Sequence, residues 1–542
     1  MATELKDFER WGALPVYSRK AMVATADVHA TNAAVDVLRE GGSVVDAAVA
    51  AGFALSVTQP GMCGLGGGGH LLARSADGEN ICLDFREQAP SAASRDMFVG
   101  AAADASRVGW RAAAVPGLVK GLAEAHRRAG RLPWARLVAP AIMLAAEGHA
   151  VSYLRSQMLV GSGVLPRDVE STRILLRDGK HFAPGEILRQ PDLAATLERI
   201  AKNGEDEFYF GQTAEELARA SAAGGVAITL ADLAAYTCVA PEPLMRPYKG
   251  RDVWTMPPSS AGGIGLLQIL AMVEDVDFGD DGPMSSAVLH YLAETMRRAF
   301  ADRAAAIGDP VFVDVPQRLL DQDHLAELRR SIDPDRATPS AMFAPGAELA
   351  EKACTTHVSI LDKDGNAAGL TFTINGRYGS GVTVPGLGFL LNNNMNNFAV
   401  RPGTANLYGV VGGEANSIAA GKRPVSSMAP TIVCRDGKSE LVLGTPGGPT
   451  IVTAMAQTLL YMLDFGMNAQ DAVNAPQIHH QWMPDVLYLE RGFPSDVTRA
   501  LEVRGHKLEY RVSLTDMNAI VKRDGWLEGG VDCRREGFAA GM

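Results

Sequence analysis

Thr355-Thr356-His357-Val358-Ser359-Ile360 alternates polar residues with β-branched and apolar ones. The alternation runs on through Leu361-Asp362-Lys363-Asp364-Gly365-Asn366 into a second stretch that ends at Asn375. An Asp-Gly pair between two alternating stretches is typical of a β-hairpin. We therefore predict a hairpin whose first strand begins at a threonine.

The segment before this hairpin has the composition of an exposed connection. Residues 334–354 are rich in Ala, Pro, Ser and Glu and show no strong apolar period, which is typical of a surface loop leading into a buried strand. A cut at its end would expose Thr355 as a new N-terminus. A threonine hydroxyl needs a neighbouring base to act as a nucleophile, and a free α-amine, which titrates near pH ~7.7–8.0, supplies one. β-propensity alone also explains a threonine pair at a strand start, and by itself this is the commoner explanation.

Arg86 and the pair Gly447-Gly448 are two further candidate site features. Arg86 follows a predicted strand, and the glycines lie between a predicted strand and a helix that starts near Thr450. A guanidinium fork suits a planar carboxylate, and backbone N–H groups at a helix start suit a developing oxyanion. From the residues alone, a structural or solvated charge and a plain strand–helix turn are the commoner explanations.

Several patterns argue against other chemistries. Four glycines occupy residues 66–69, but no Lys-Ser/Thr follows and a strand comes next, so close backbone packing is favoured over phosphate binding. The chain has no G-x-S-x-G sequence. His479 and His480 are adjacent strand residues that face opposite ways, and the six scattered cysteines form no CxxC pair. We expect no metal, no cofactor and no disulfide framework.

Composition limits the partners and the location of the protein. A chain of 542 residues is too long for one ordinary core, so we expect two to four packing units. The net charge of −11 argues against a nucleic acid or an anionic membrane as partner. Residues 1–10 carry acidic residues where a signal peptide needs an apolar core, which predicts a cytoplasmic protein. No apolar run approaches the ~20 residues of a membrane helix.

Periodicity predicts helices that form outer layers around a sheet core. The predicted helices are 32–39, 43–59, 115–128, 134–147, 193–201, 228–236 and 285–302. The predicted strands besides the hairpin are 22–25, 71–74, 79–85, 389–391 and 441–444. Helix 43–59 is apolar on nearly all sides, so we expect it in a core.

Several separate motifs match those of one known family. They are Thr355-Thr356-His357, Asn375, Leu391-Asn392-Asn393, residues 423–431 and Thr445-Pro446-Gly447-Gly448, with residues 59–69 and 84–87 in the N-terminal half. With this set in this order, the chain resembles the γ-glutamyltransferase (γ-glutamyltranspeptidase) family of N-terminal-nucleophile hydrolases. The similarity begins at Val23 and spans nearly the whole chain.

The resemblance implies a fold, a maturation step and a reaction. The fold would be α+β, the four-layer αββα sandwich of N-terminal-nucleophile hydrolases. The chain would cut itself into fragments 1–354 and 355–542, which share one core and stay associated. The reaction would transfer or hydrolyse γ-glutamyl groups of glutathione-type small molecules through an acyl-enzyme on Thr355, with water or an amine as acceptor.

The resemblance also assigns the site residues. Thr355 and Thr373 would be catalytic, with Gly447 and Gly448 as the oxyanion hole. The substrate-binding residues would be Arg86, Ser426 and Ser427 for the carboxylate, Asn375, Asn394 and Asn397 as further contacts, and Tyr408 as the gating aromatic of a lid.

One departure from the family pattern bears on the substrate. The family commonly has acidic residues after Met395, the second of which binds the substrate ammonium, whereas this chain has Asn396-Asn397. An alternative is therefore an acylase or amidohydrolase for carboxylate-bearing acyl groups that lack the α-amine, such as glutaryl or oxalyl amides. Another is that Glu414 on the loop holds the ammonium. An inert binding protein of this fold would be expected to have lost Thr355 or the glycine pair, and both are present.

Overall fold

The computed structural model describes residues 13–225, 228–342, 354–400, 406–407, 409–410 and 412–542. Its strands are β1 Val16–Ser18, β2 Ala21–Thr25, β3 Gly68–Arg74, β4 Asn80–Phe85, β5 His149–Ala150, β6 Ile187–Leu188, β7 Leu244–Tyr248, β8 Arg251–Thr255, β9 Thr356–Asp362, β10 Ala367–Thr373, β11 Thr431–Arg435, β12 Lys438–Gly444, β13 Ile478–His479, β14 Leu487–Glu490, β15 Leu508–Arg511, β16 Asn518–Arg523, β17 Trp526–Val531 and β18 Phe538–Gly541.

The helices of the same residues surround these strands. They are α1 Val28–Arg39, α2 Val44–Thr58, α3 Leu118–Ala129, α4 Trp134–Ala146, α5 Tyr153–Val160, α6 Val169–Leu175, α7 Pro191–Asn203, α8 Asp206–Tyr209, α9 Gln212–Ala223, α10 Leu230–Ala235, α11 Ala261–Val273, α12 Ser286–Ala306, α13 Gln322–Arg330, α14 Thr450–Leu463, α15 Ala469–Asn474 and α16 Ser495–Val503.

Two antiparallel sheets form the centre of the molecule. One has six strands in the order β18-β2-β9-β10-β3-β4, and the other has seven in the order β1-β17-β16-β12-β11-β8-β7. An apolar layer lies between them, to which Met22 and Leu361 contribute from the first sheet and Val442 and Ile520 from the second. The two sheets therefore pack face to face.

Helices cover the outer face of each sheet. α1–α4 and α7–α10 share a core with the six-stranded sheet, and α11, α12, α14, α15 and α16 share one with the seven-stranded sheet. Every residue of α2 is buried, as its apolar pattern predicts. The order helix, sheet, sheet, helix confirms the predicted α+β four-layer sandwich.

Each sheet contains strands from both sides of Thr355. β9 lies between β2 and β10, with Thr25 opposite Val358, and β10 pairs with β3, with Gly68 opposite Thr373. In the other sheet β8 pairs with β11. Segments before and after Thr355 thus share one core, as predicted.

The structure corrects several predicted boundaries and one strand. α1 begins at Val28, four residues early, because the Asp27 side chain caps its first N–H groups. α12 runs on to Ala306, beyond the predicted end at residue 302. The predicted strand 389–391 is wrong, since only isolated bridges form there, from Leu390 to Thr383 and from Leu391 to Gly66.

A buried side chain explains why no regular strand forms at residues 389–391. The Asn392 amide donates to the carbonyls of Gly66 and Ala114 and its oxygen accepts from Ala114 N–H, so the chain is held there and then turns into the 3₁₀ segment Asn394–Asn397. Tyr408 and residues 343–353 of the predicted linker lie outside the described residues. Within the described part of the chain, no helix has the length and apolar character to cross a bilayer.

Candidate active site

The hairpin brings two threonine hydroxyls to the Cys354–Thr355 peptide bond. Thr355 precedes β9, and Thr373 ends β10 beside it. The Thr355 hydroxyl donates to Thr373 Oγ1 at 3.2 Å, and Thr373 Oγ1 donates to the carbonyl oxygen of Cys354 at 2.6 Å. A donor on that carbonyl makes its carbon a better electrophile, directly beside the hydroxyl of Thr355.

Asn375 holds the residue before this bond. Its φ of 77° lies in the left-handed region, which asparagine tolerates better than most residues. Its N–H donates to Thr373 Oγ1 at 2.7 Å, and its carbonyl accepts from Cys354 N–H at 3.2 Å. Asn375 therefore orients the threonine pair and its peptide bond, besides lining the cavity predicted for substrate.

A small cavity, which we call the acyl cavity, opens beside Thr355. Its volume is about 30 Å³ in the uncut chain. Its described lining is Arg86, Arg303, Thr355, Thr373, Asn375, Asn397, Asn406, Val410, Val425, Ser426, Ser427, Met428, Gly448, Pro449 and Ile451. The structure thus brings together most of the predicted site residues.

Arg86 is a buried cation at the end of β4. Its side chain is 1% exposed, Nη1 donates to Glu87 Oε2 at 3.0 Å and Nε donates to the Pro424 carbonyl at 3.4 Å. Burial raises the pKa of Glu87 to about 6, and the Arg86 charge opposes that rise. The guanidinium keeps further N–H groups for a ligand in the acyl cavity, as its predicted role requires.

A second guanidinium, Arg303, was not predicted from the sequence. Arg303 Nη1 donates to Ser427 Oγ at 2.5 Å, and the salt bridges of the described residues include no carboxylate partner for it. Burial lowers the pKa of Arg303 to about 10, so it is charged at neutral pH. It lies one residue past the predicted end of its helix, and nothing in the pattern there distinguishes it from a surface arginine.

The predicted serine pair lies against this second arginine. Ser426 Oγ accepts from Met428 N–H at 2.9 Å, and the Ser426 backbone bonds to Ser259 and Ala261. The backbone position of the pair is therefore fixed, with the Ser427 hydroxyl oriented by Arg303. Two hydroxyls and two guanidiniums in one small cavity suit an anionic group.

Gly447 and Gly448 precede the first turn of α14. Their φ angles are 147° and 60°, and a Cβ on Gly447 would lie 2.1 Å from Thr450 Oγ1, so a side chain is excluded there. Within the described ranges neither N–H has a hydrogen-bond partner. Gly448 lines the acyl cavity, and backbone N–H groups that are free at a helix start suit a developing oxyanion.

The acyl cavity has no carboxylate among its described lining residues. Asn397 lines it and donates to Asn394 Oδ1 at 2.7 Å, so Asn394 supports Asn397 from behind rather than lining the cavity. Glu414 is 68% exposed and pairs with Arg95 at 2.7 Å. The geometry therefore does not favour Glu414 as the group that holds a substrate ammonium.

The histidines of the described residues take part in no group of side chains that could hold a metal ion. His357, for example, is buried between the hydroxyls of Thr371 and Ser359, at 2.7 and 2.9 Å. No three His, Cys, Asp or Glu side chains of the described residues are placed to hold a metal ion.

A sequence model of one family covers this arrangement. The model, described as gamma-glutamyltranspeptidase, matches residues 30–542. The chain belongs to the gamma-glutamyltranspeptidase family. It is thus an enzyme of the N-terminal-nucleophile hydrolase fold.

Relatives of this gamma-glutamyltranspeptidase family member carry two kinds of name. A glutathione hydrolase proenzyme of Escherichia coli (strain K12) is 43% identical over 530 residues, 96% of this chain and 91% of that protein. An acylase ACY 1 proenzyme of Pseudomonas sp. (strain SE83) is 38% identical over 96% of this chain and 94% of that protein. The crystal structure of a cephalosporin acylase from Bacillus halodurans superposes with a TM-score of 0.87 at 26% identity, over 100% of this chain and 99% of that chain.

Proposed function

We propose that this protein is a self-cleaving amidase and acyltransferase that acts on γ-glutamyl-type amides, with Thr355 as its nucleophile. One observation carries the proposal. The Thr355 hydroxyl, the Thr373 hydroxyl and the Cys354 carbonyl form a continuous hydrogen-bonded chain at the edge of a cavity lined by Arg86 and Gly448. A nucleophile, a polarised carbonyl, an anion-binding group and an oxyanion donor lie together.

Self-cleavage follows from this chain of hydroxyls. Thr355 Oγ1 attacks the carbonyl carbon of Cys354 while its proton moves toward Thr373 Oγ1, and Thr373 supports the oxygen that becomes negative. The C–N bond then breaks and the nitrogen takes a proton, which leaves an ester between Cys354 and Thr355. Water hydrolyses the ester, so fragment 1–354 ends in a carboxylate and fragment 355–542 begins with a free amine.

That amine is the base for turnover. It takes the proton of the Thr355 hydroxyl as the hydroxyl attacks a substrate amide. Arg86, Ser426 and Ser427 hold the carboxylate of the acyl group, and the N–H groups of Gly447 and Gly448 receive the oxyanion. The amine half of the substrate leaves, and water or a second amine resolves the acyl-enzyme.

Acyl groups without an α-amine are the second candidate substrates. The acyl cavity offers no carboxylate to an ammonium among its described lining residues, and Asn397 supplies hydrogen bonds without charge. Glutaryl and oxalyl amides meet the same anion-binding groups and leave no ammonium unpaired. The names of the relatives, glutathione hydrolase and acylase, include both classes.

Electrophoresis and substrate assays test the proposal together. On a denaturing gel, protein expressed alone should give fragments of 354 and 542 − 354 = 188 residues, and the Thr355→Ala variant should stay as one band. The cut protein should hydrolyse γ-glutamyl or glutaryl p-nitroanilide. A wild-type chain that stays intact and still hydrolyses these amides contradicts the mechanism.

A matched control distinguishes the loss of the Thr355 hydroxyl from a general disruption of the start of β9. Thr356→Ala removes the neighbouring hydroxyl, whose Oγ1 is buried without a hydrogen-bond partner in the described structure. That variant should still cut itself.

The compartment in which the enzyme works remains a prediction from residues 1–10, which the structure does not describe.

A further inference from the structure

The hydroxyl of Thr450, the first residue of α14, joins two segments of the chain. We call them the glycine turn, residues 445–449, and the bracing loop, residues 513–516. Thr450 Oγ1 lies 2.6 Å from the carbonyl oxygen of Leu514 and 3.0 Å from that of Gly447. A hydroxyl has one proton to donate, so the shorter distance identifies the bond to Leu514 as the main one. The end of the glycine turn is thus tied to a loop 64 positions away.

A second hydrogen bond ties the beginning of the glycine turn to the same loop. Asp516 N–H donates to Thr445 Oγ1 at 3.1 Å, and Thr445 Oγ1 donates to the carbonyl of Pro446 at 2.8 Å. The Thr445 side chain is fully buried. The bracing loop therefore contacts the glycine turn at both of its ends.

Buried charges hold the bracing loop in place. Leu514 N–H donates to Glu490 Oε1 at 2.5 Å. Arg534 pairs with Glu490 and, at 2.7 Å, with Asp532. Both carboxylates are 1% exposed, and a satisfied buried network of this kind is rigid. The bracing loop is thus a fixed point against which the glycine turn is oriented.

The peptide group between Gly447 and Gly448 converts these contacts into the direction of one N–H. Its carbonyl oxygen accepts from Thr450 N–H at 3.3 Å and lies beside the Thr450 hydroxyl. The peptide group is trans, and the C=O and N–H of a planar trans peptide point in opposite directions. With the carbonyl held on the Thr450 side, the Gly448 N–H is directed away from Thr450, and Gly448 lines the acyl cavity.

We propose that Thr450 is a positioning residue for the oxyanion site, and that its hydroxyl aims the Gly448 N–H at the acyl cavity by fixing the glycine turn to the bracing loop. The inference rests on the proposed role of the glycine pair in turnover. Thr450 is not among the described residues that line the acyl cavity, so it acts through the turn. Self-cleavage does not need it, because Thr373 donates to the carbonyl of Cys354.

The test removes the hydroxyl and keeps the shape of the side chain. Thr450→Val replaces Oγ1 by a methyl group, whereas Thr450→Ser keeps the hydroxyl. Steady-state kinetics of the self-cleaved proteins with a γ-glutamyl or glutaryl p-nitroanilide give kcat and KM. We expect Thr450→Val to lower kcat by about tenfold to a hundredfold and to leave KM within about twofold, because a misaimed donor weakens contact with the oxyanion and not with the acyl carboxylate. Thr450→Ser should restore most of kcat.

Thr498→Val is the matched control. Thr498 lies in the first turn of α16, and its Oγ1 donates to the carbonyl of Ser495, three residues earlier, at 3.1 Å. The substitution removes the same kind of hydroxyl away from the site and should leave kcat, KM and fragment yield unchanged. Three results overturn the inference: wild-type kcat in Thr450→Val, equal loss of kcat in Thr450→Val and Thr450→Ser, or a Thr450→Val chain that no longer cuts itself.

A failure of the proposed function looks different. If cut wild-type protein hydrolyses no acyl anilide, the proposed function fails, and crystal structures of wild type and Thr450→Val still decide the role of Thr450. A Gly447–Gly448 peptide plane that is rotated in the variant supports the inference, and the same plane in both proteins overturns it.

Discussion

Arg86 donates two N–H groups to Glu87 and to the Pro424 carbonyl. Its remaining N–H groups lie in the same plane and can bind a planar carboxylate. We expect Arg86→Lys to lower kcat/KM for carboxylate-bearing acyl anilides by tenfold or more, because a point charge does not replace a fork. Loss of the pair in Arg86→Ala should cost ~1.5–3 kcal/mol. Steady-state kinetics on self-cleaved protein measures both. If Arg86→Ala retains wild-type kcat/KM, the carboxylate is bound elsewhere.

Asn397 is the residue at which the choice of acyl group should be decided. We expect wild type to discriminate weakly between γ-glutamyl and glutaryl anilides, and Asn397→Asp to shift the kcat/KM ratio toward γ-glutamyl by about tenfold or more, because a carboxylate pairs with the ammonium and opposes acyl groups that lack it. Asn396→Asp is the control: its side chain bonds to Ser106 and Leu407 instead of lining the acyl cavity. A ratio unchanged by Asn397→Asp would show that this position does not sense the α-amine.

At the scale of secondary-structure elements, a substitution just before α14 should slow substrate turnover without preventing self-cleavage. In self-cleavage the carbonyl oxygen of Cys354 is held by Thr373, whereas in turnover the oxyanion is assigned to Gly447 and Gly448. An added Cβ at Gly447 would lie 2.1 Å from Thr450 Oγ1 and displace the backbone N–H groups. We therefore expect Gly447→Ala to lower kcat by about 10²–10³, as for the loss of one oxyanion donor, while the chain still cuts itself. Fragment yield on gels and anilide kinetics are the two measurements.

Gly466→Ala controls for backbone strain in this experiment. Gly466 also has a positive φ, 66°, and no atom lies within 4 Å of an added Cβ, so the substitution imposes strain away from the site. It should change stability but not kcat. Equal loss of kcat in both variants would mean that strain, rather than the oxyanion site, explains the effect.

The hairpin, the buried helix α2 and the glycine turn were predictable because residues close together in sequence determine each of them. Alternation, a run of apolar residues and an Asp-Gly pair act over a few residues. The failed strand at 389–391 depends on Asn392 bonding to Gly66 and Ala114, which are distant in sequence. Arg303 was missed for the same reason, since its partner Ser427 is 124 positions away.

At the scale of the whole molecule, the two fragments should behave as one folded unit. β9 and β10 of fragment 355–542 lie between β2 and β3 of fragment 1–354, so separation would break backbone hydrogen bonds along several strands. We expect the cut protein and the Thr355→Ala chain to elute at the same volume in gel filtration. Each should unfold in a single transition. Fragments that separate without denaturant would contradict the shared core.

The order of strands in the two sheets bears on whether the protein can refold after the proposed cut. An uncut chain forms its β2–β9 and β3–β10 pairings within one molecule, where the connecting chain limits the entropy lost on closure. After the cut, the same pairings in an unfolded protein become an encounter between two molecules, and their rate depends on concentration. The mature enzyme should therefore resist unfolding yet refold poorly once unfolded, so that its lifetime is set by an unfolding rate rather than by an equilibrium.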